Sequence, residues 1–265
     1  MALTRTSITL TDDDGSGTTG TVLNAAERVT VLDAIDGRWS EYTVTSTGSQ
    51  NDFSITTSSI EADVLRCNNA SSLTLTGIAA PASPAKPGKP LKIVSVGAGD
   101  VVLSNTPTAS SAANEIITGS GADITLAAGV GVAYLIYDDT TDMWRVLVHE
   151  QGRPIAYTPT ITSQGGTFTT VSATGRYLLN KRMCTFQVVI TITTVGTATG
   201  YAAATLPFTA TSQAYVTAGV NATTAVGCFG YVPASGTTVQ IYKYDATQPG
   251  TSAQVVLVSG EYELP

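Results

Sequence analysis

Short runs rich in Thr and Val follow one another almost from end to end of this 265-residue chain. Gly, Asn, Pro or paired Asp break them roughly every eight to twelve residues. This rhythm constrains the fold more than any other feature. It predicts many short strands in an all-β protein and leaves little room for βαβ units. Only Thr21 to Asp36 reads differently. Val22, Ala26, Val29, Leu32 and Ile35 recur at three- to four-residue spacing, which predicts one amphipathic helix. Thr21 or Asn24 can cap it, with Glu27 three positions after Asn24, and Gly37 ends it. At about four turns such a helix is marginal alone, so its stripe is expected to pack on another body.

Charged residues make up 12% of the chain against 43% apolar residues, where an ordinary globular domain carries roughly 25% charge. Low charge with ample hydrophobicity argues against disorder and favours burial against further copies. The net charge is −7, and Lys181-Arg182 is the longest basic run. A nucleic-acid partner is disfavoured, because phosphate binding needs a basic stripe. Insertion into a membrane is not expected either, since no run approaches the ~18 apolar residues of a membrane span. Residues 1–20 have no apolar core of a signal peptide. The three cysteines, Cys67, Cys184 and Cys228, have no paired spacing; they read as small buried residues rather than a disulfide framework or a zinc site.

Strands are expected at Tyr42–Thr45, Phe53–Thr56, Val64–Cys67, Leu73–Thr76, Leu91–Val96, Val101–Leu103, Glu115–Thr118 and Asp123–Leu126. Val132–Tyr137 then folds back through Asp138–Asp142 into Met143–Val148 as a hairpin. The prolines of Pro81–Pro90 favour a stiff polyproline strap on the surface. Glu150–Pro154 lacks periodicity and carries Gly and Pro, so it reads as a boundary. The expected organisation is an attachment segment over 1–40, a first β domain over 41–150 serving as spacer, and a C-terminal β-sandwich head over 154–265. No repeat of fixed period is evident.

The scattered pattern Leu73-x-Leu75, Leu91-x-Ile93, Gly97, Val101-x-Leu103, Ala113-Asn114-x-Ile116, Gly129, Tyr137-Asp138 and Trp144-x-Val146-Leu147 resembles a small β domain in fibres and spikes of tailed bacteriophages. The opening, with Asp12-Asp13-Asp14-Gly15, Gly20-Thr21 and Ile35-Asp36-Gly37, is similar to the particle-attachment end of such proteins. The final part, through Tyr157, Pro159, Gly166, Gly175-Arg176-Tyr177, Phe186 and Leu206-Pro207, resembles their jelly-roll-like heads. The resemblance implies a homotrimer on the virion surface. It would hold other virion proteins by its N-terminus and bind a host-surface glycan or protein by its C-terminal domain. The Pro81–Pro90 stretch departs from the pattern. A head fibre or decoration protein of the capsid shares the same expectations, and a secreted lectin-like adhesin module is the rival of a different class.

Candidate chemistry is thin, and the expectation is a protein that is not an enzyme and needs no cofactor or metal. Asp12, Asp14, Ser16 and Gly17 match the start of a calcium loop, but Leu23 stands where a bidentate Glu is required. His149 is the single histidine and has no nucleophile beside it in sequence. Asp33, Asp36, Glu41, Asp52, Glu61, Asp63, Glu115 and Asp123 could offer the opposed carboxylates of a glycan hydrolase; any acidic protein offers such pairs, and the long repetitive β-helix of a depolymerase is not legible. Asn69 and Asn221 head glycosylation sequons of the kind chance produces in a Ser- and Thr-rich chain. Aromatic residues concentrate near the C-terminus. Phe186 and Phe208 are expected in the core. Tyr242 and Tyr244 alternate around Lys243 and are expected on one exposed face, with Asp245, Tyr231 and Tyr201 completing the candidate receptor-binding set.

Overall fold

The computed structural model describes residues 40–57, 60–82, 88–106, 108–221, 226–245 and 247–265. Glu41–Pro265 forms one compact unit. The predicted helix and its stripe Val22, Ala26, Val29, Leu32 and Ile35 lie outside the described residues, as do Asp12, Asp14, Asp33 and Asp36. The described residues are all-β, with a single 3-10 turn at Ala112–Asn114 and no α-helix.

The first half is a short parallel solenoid. Strands β1 (Glu41–Val44) and β2 (Gly48–Gln50) make the first coil, and a two-stranded excursion, β3 (Thr56–Thr57) with β4 (Ile60–Glu61), leaves it. Strands β5 (Val64–Cys67) and β6 (Leu73–Leu75) make the second coil, and β7 (Pro90–Ser95) and β8 (Val101–Leu103) the third. Strand β5 pairs in parallel with both β1 and β7, and β6 with both β2 and β8. A reversed coil closes the stack: β10 (Ile124–Leu126) runs antiparallel on β8, and β11 (Val132–Asp138) antiparallel on β7. Strand β12 (Met143–Glu150) forms the expected hairpin with β11, and β9 (Ile116–Ile117) pairs with its outer edge.

This differs from the expected sandwich, in which neighbouring strands pair through hairpins. Here each short turn carries the chain around a corner, from a six-stranded wall to a four-stranded one. Inward and outward positions alternate identically in both arrangements, so periodicity could not separate them. Glu41 pairs with Val64 and Val64 with Lys92, so successive coils are 23 and 28 residues long. The β3–β4 excursion and the Pro81–Pro90 stretch lie within the coils, which is why no fixed period appeared. Inside, Leu65, Ile93 and Ala133 stand in one column, and Leu75, Leu103 and Ile124 in another. All six are fully buried. Each leucine or isoleucine among them contributes about 1.5–3 kcal/mol by leaving water.

The second half is one antiparallel sheet of nine strands. They are β13 (Ile155–Tyr157), β14 (Ile161–Gly165), β15 (Thr170–Asn180), β16 (Met183–Thr194), β17 (Thr199–Thr205), β18 (Ala214–Asn221), β19 (Val226–Val232), β20 (Thr238–Lys243) and β21 (Gln254–Glu263). Their spatial order is β13-β15-β16-β21-β18-β19-β20-β17-β14. Laid flat, nine strands would span about 38 Å. Yet β13 and β14, the two edges, are joined by residues 158–160, which reach about 15 Å at most. The sheet must therefore curl until its edges approach, as a half-barrel around its own core. Phe186, Val188, Ile190, Val239, Ile241, Val256, Val258 and Tyr262 fill it, each no more than 2% exposed. Phe208 is half-buried and meets the edge of Tyr177 at 5.1 Å. Jelly-roll packing of two separate sheets is not what this topology describes.

The segment between the halves is fastened. Gln151 is 3% exposed, and its Oε1 accepts from the Leu179 N–H at 2.5 Å. His149 Nε2 lies 3.2 Å from the Leu179 carbonyl, so the neutral ring with its proton on Nε2 donates there. Burial holds this histidine below its ordinary value of 6.5, with the Leu179 bond opposing. The unfolded chain then takes up a proton as pH falls below about 6.5 while the folded one resists, so stability is full above that pH and declines beneath it. The melting temperature is expected to fall between pH 7.5 and 5.5, and His149→Gln to flatten that slope. Parallel slopes in calorimetry would refute the assignment.

Candidate functional site

The outer face of the curled sheet carries the candidate site. Strand β18 alternates cleanly: Val216, Ala218 and Val220 point inward, while Tyr215 stands 73% exposed. In β19, Gly230 and Val232 face the core, and Phe229 and Tyr231 face out. In β20, Val239 and Ile241 are buried, and Gln240 and Tyr242 face out. Register then brings aromatic rings side by side. Tyr215 pairs directly with Tyr231, and Phe229 with Tyr242. Phe229 and Tyr242 stack at 5.3 Å with 12° between planes, Tyr201 of β17 lies 5.1 Å from Tyr242, and Tyr215 lies 5.3 Å from Tyr231. The Tyr242 hydroxyl donates to Gln240 Oε1 at 2.7 Å. Burial, slight as it is, raises the Tyr242 phenol, and the neighbouring Tyr201 and Tyr231 add to this. It is therefore a neutral donor at physiological pH.

The structure thus brings together Tyr201, Tyr231 and Tyr242 of the predicted set. Tyr244 and Asp245 are placed differently. Strand β20 ends at Lys243, so Tyr244 lies in the following turn, 80% exposed. It does not continue the face opposite Lys243: the Lys243 Nζ sits 6.0 Å from its ring centroid. Asp245 ties this turn. It accepts from Thr247 Oγ1 at 2.6 Å and pairs with Lys243 at 3.2 Å. The Thr247 hydroxyl above all, with the Thr247 N–H and Lys243, holds the Asp245 carboxyl down at about 2.

Sequence reasoning left Phe229 and Tyr215 out of the site, and it missed two glycines. Gly219 and Gly227 are cross-strand partners on the outer face, and a Cβ on either would meet nothing within 4 Å. Glycine weakens a strand interior, so two outward glycines in register were the available signal.

Elsewhere the reactive groups hold structure. Burial pushes the Cys67 thiol up to about 12 and the Cys184 thiol to about 11, far from a thiolate at neutral pH. Asp52 binds the Ser111 hydroxyl and N–H, both at 2.9 Å, and its carboxyl is lowered by bonds to Asn114 and Ser111. Glu61 accepts from the Ala82 N–H, Asp63 pairs with Lys89 at 2.6 Å, and Asp123 accepts from the Asn105 N–H at 2.9 Å. Each fastens a turn or strand end. Among the described residues no group of three or more His, Cys, Asp or Glu side chains could hold a metal. No described helix is long and apolar enough to cross a membrane. Asn69 is fully buried, its amide bonded to the Ser71 and Asp100 carbonyls, so it is not an accessible glycan acceptor. A groove of about 350 Å³ where the halves meet is lined by Leu147, Val148, His149, Lys181 and Arg182. It lies apart from the aromatic rows, and its cations are exposed at its rim.

Among solved structures, the chain is similar to the Dettilon tailspike protein, known from its crystal structure, at 14% identity and a TM-score of 0.42. The alignment covers 76% of this chain and 36% of that one, so this chain spans about a third of the tailspike's length. No family model matches the chain, and no curated protein matches it.

Proposed function

We propose that this chain is a non-enzymatic structural protein of a bacteriophage particle, a homotrimeric tail-fibre-like appendage. It attaches by its N-terminal segment, holds its head away from the particle on the solenoid, and binds the host surface by the outer face of the curled sheet. The observation that carries the reading is the double row of outward aromatic side chains, five rings laid in register across four adjacent strands. A face built only for solvent would not gather them. Trimer formation draws support from the outer face of the six-stranded wall. Val64, Val94, Val132 and Ile136 are half-buried there, and Tyr134 and Val148 stand 45% and 58% exposed. Arg66, Lys92 and Arg145 share this face, and a mixed face with so much exposed apolar surface suits an interface between copies.

The test uses the full-length protein, fluorescently labelled, on host cells. Light scattering is expected to show three copies, and the protein to adsorb. Tyr201→Ala combined with Tyr242→Ala is expected to lower adsorption by about tenfold or more, because trivalent attachment compounds the loss at each head. Far-UV circular dichroism checks that the sheet persists. Adsorption unchanged in a folded double variant would overturn the assignment of the face. An intact trimer that joins particles but adsorbs to no host would favour a capsid decoration protein instead.

A further inference from the structure

The aromatic rows end beside a bare patch of backbone. Cross-strand register places Ser259, Thr217, Phe229 and Tyr242 in one line across β21, β18, β19 and β20. The next line outward from it is Leu257, Gly219 and Gly227. The two glycines form a shelf with open space above. Leu257, 41% exposed, stands on one side, and Phe229, 44% exposed, stands two residues along the strand from Gly227. Glycine at such positions costs a strand about 0.5–1 kcal/mol relative to alanine. Neither glycine has a positive φ that would require it. What the pair provides is a floor, flush with the backbone, against the exposed ring of Phe229.

We propose that this shelf seats an uncharged pyranose unit of a host-surface oligosaccharide, with the Phe229–Tyr242–Tyr201 row stacking against the units that follow. This rests on the reading of the head as the host-binding part. A pyranose ring has a flat face of C–H bonds and a rim of hydroxyls. An aromatic ring beside a bare floor matches the first. Thr217, Ser259, Gln240 and the tyrosine hydroxyls match the second. The charge pattern selects a neutral sugar. From β21 to β20 the side chains of both lines carry no charge, and Lys243 and Asp245 neutralise each other at 3.2 Å. Among the described residues the first cation along these lines is Arg176, two strands beyond Ser259 through Gln187 and off the shelf. A polyanionic glycan seated on the shelf would therefore lack a cation beside it, and the chain's net charge of −7 would repel it.

The experiment is glycan-array binding of the full-length protein. The probes are neutral hexose and N-acetylhexosamine oligomers beside counterparts containing uronic or sialic acid. The neutral probes are expected to bind. Gly227→Val is expected to weaken them by about tenfold or more, since its branched side chain fills the shelf yet suits a strand. Unchanged circular dichroism and oligomeric state would show that the fold is kept, and Gly219→Val provides a second blocking variant. Binding confined to acidic probes, or full binding by both folded valine variants, would overturn the proposal. Host adsorption separates the two levels. If both valine variants adsorb like the parent and Tyr201→Ala/Tyr242→Ala does not, the shelf is wrong and the head reading stands. If the parent adsorbs to no host, both fall.

Discussion

Trp144→Ala is expected to lower stability by about 3–5 kcal/mol, a large part of the 5–15 kcal/mol typical of a folded domain. Trp144 is fully buried in the last hairpin of the solenoid. Its indole N–H donates to the Ile78 carbonyl at 2.9 Å, reaching from β12 back to the segment after β6. Its ring meets the edge of Tyr137 at 5.3 Å and 73°. Tyr137 in turn donates its hydroxyl to the Ala113 carbonyl at 3.1 Å. Alanine therefore opens a cavity and leaves a carbonyl without its partner. Trp144→Phe separates the two effects: it keeps most of the packing and loses the hydrogen bond, at about 1–3 kcal/mol. Denaturant midpoints read by circular dichroism check both, since the variants lose one of the chain's two tryptophans. Equal midpoints for parent and alanine variant would show that the solenoid does not depend on this anchor.

What the chain made legible was the strand content, because alternation is a local property. Val132–Asp138 with Met143–Glu150 was readable as a hairpin since the turn Asp138–Asp142 lies between two apolar runs. What was not legible was which strands pair. Leu73 beside Val101, and Gly48 beside Leu73, are parallel contacts 28 and 25 residues apart. Nothing in the alternation of either strand names its partner. Strand β17, Thr199–Thr205, is hard to read from the chain for a different reason. Its centre is Ala202, Ala203 and Ala204, small residues of low strand preference, all three buried, so the strand shows no alternation to read. The candidate site was half readable. Tyr242 and Tyr201 could be picked out by residue type, but their contact needs β17 beside β20, a pairing between residues 33 to 39 positions apart. Residue type alone does not set Phe229 apart; register places it outward beside Tyr242.

Gly99→Ala, a single added methyl group, is expected to damage the solenoid about as much as losing the tryptophan. The turn of residues 96–100 lies directly on the turn of residues 68–72. Val96 and Gly97 N–H groups donate to the Cys67 carbonyl at 2.9 and 3.0 Å, and the Gly99 N–H donates to the Asn69 carbonyl at 3.0 Å. Asn69 locks the layers, with its amide bonded to the Ser71 carbonyl at 2.8 Å and the Asp100 carbonyl at 3.2 Å. A Cβ on Gly99 would fall inside the backbone of Ser71, and one on Gly97 inside that of Asn69. Backbone has no flexible end to swing aside, so the two turns must part. Overpacking alone costs about 1–3 kcal/mol, and each turn hydrogen bond lost adds roughly 0.5–1.5 kcal/mol. Parting the layers also exposes the fully buried Asn69. Gly227→Ala is the matched control, because its Cβ meets open space and is expected to leave stability unchanged or slightly raised. Denaturant midpoints, with hydrogen exchange across β5 to β8, test the contrast. A Gly99→Ala protein as stable as the Gly227→Ala control would mean that the coils do not rest on these turns.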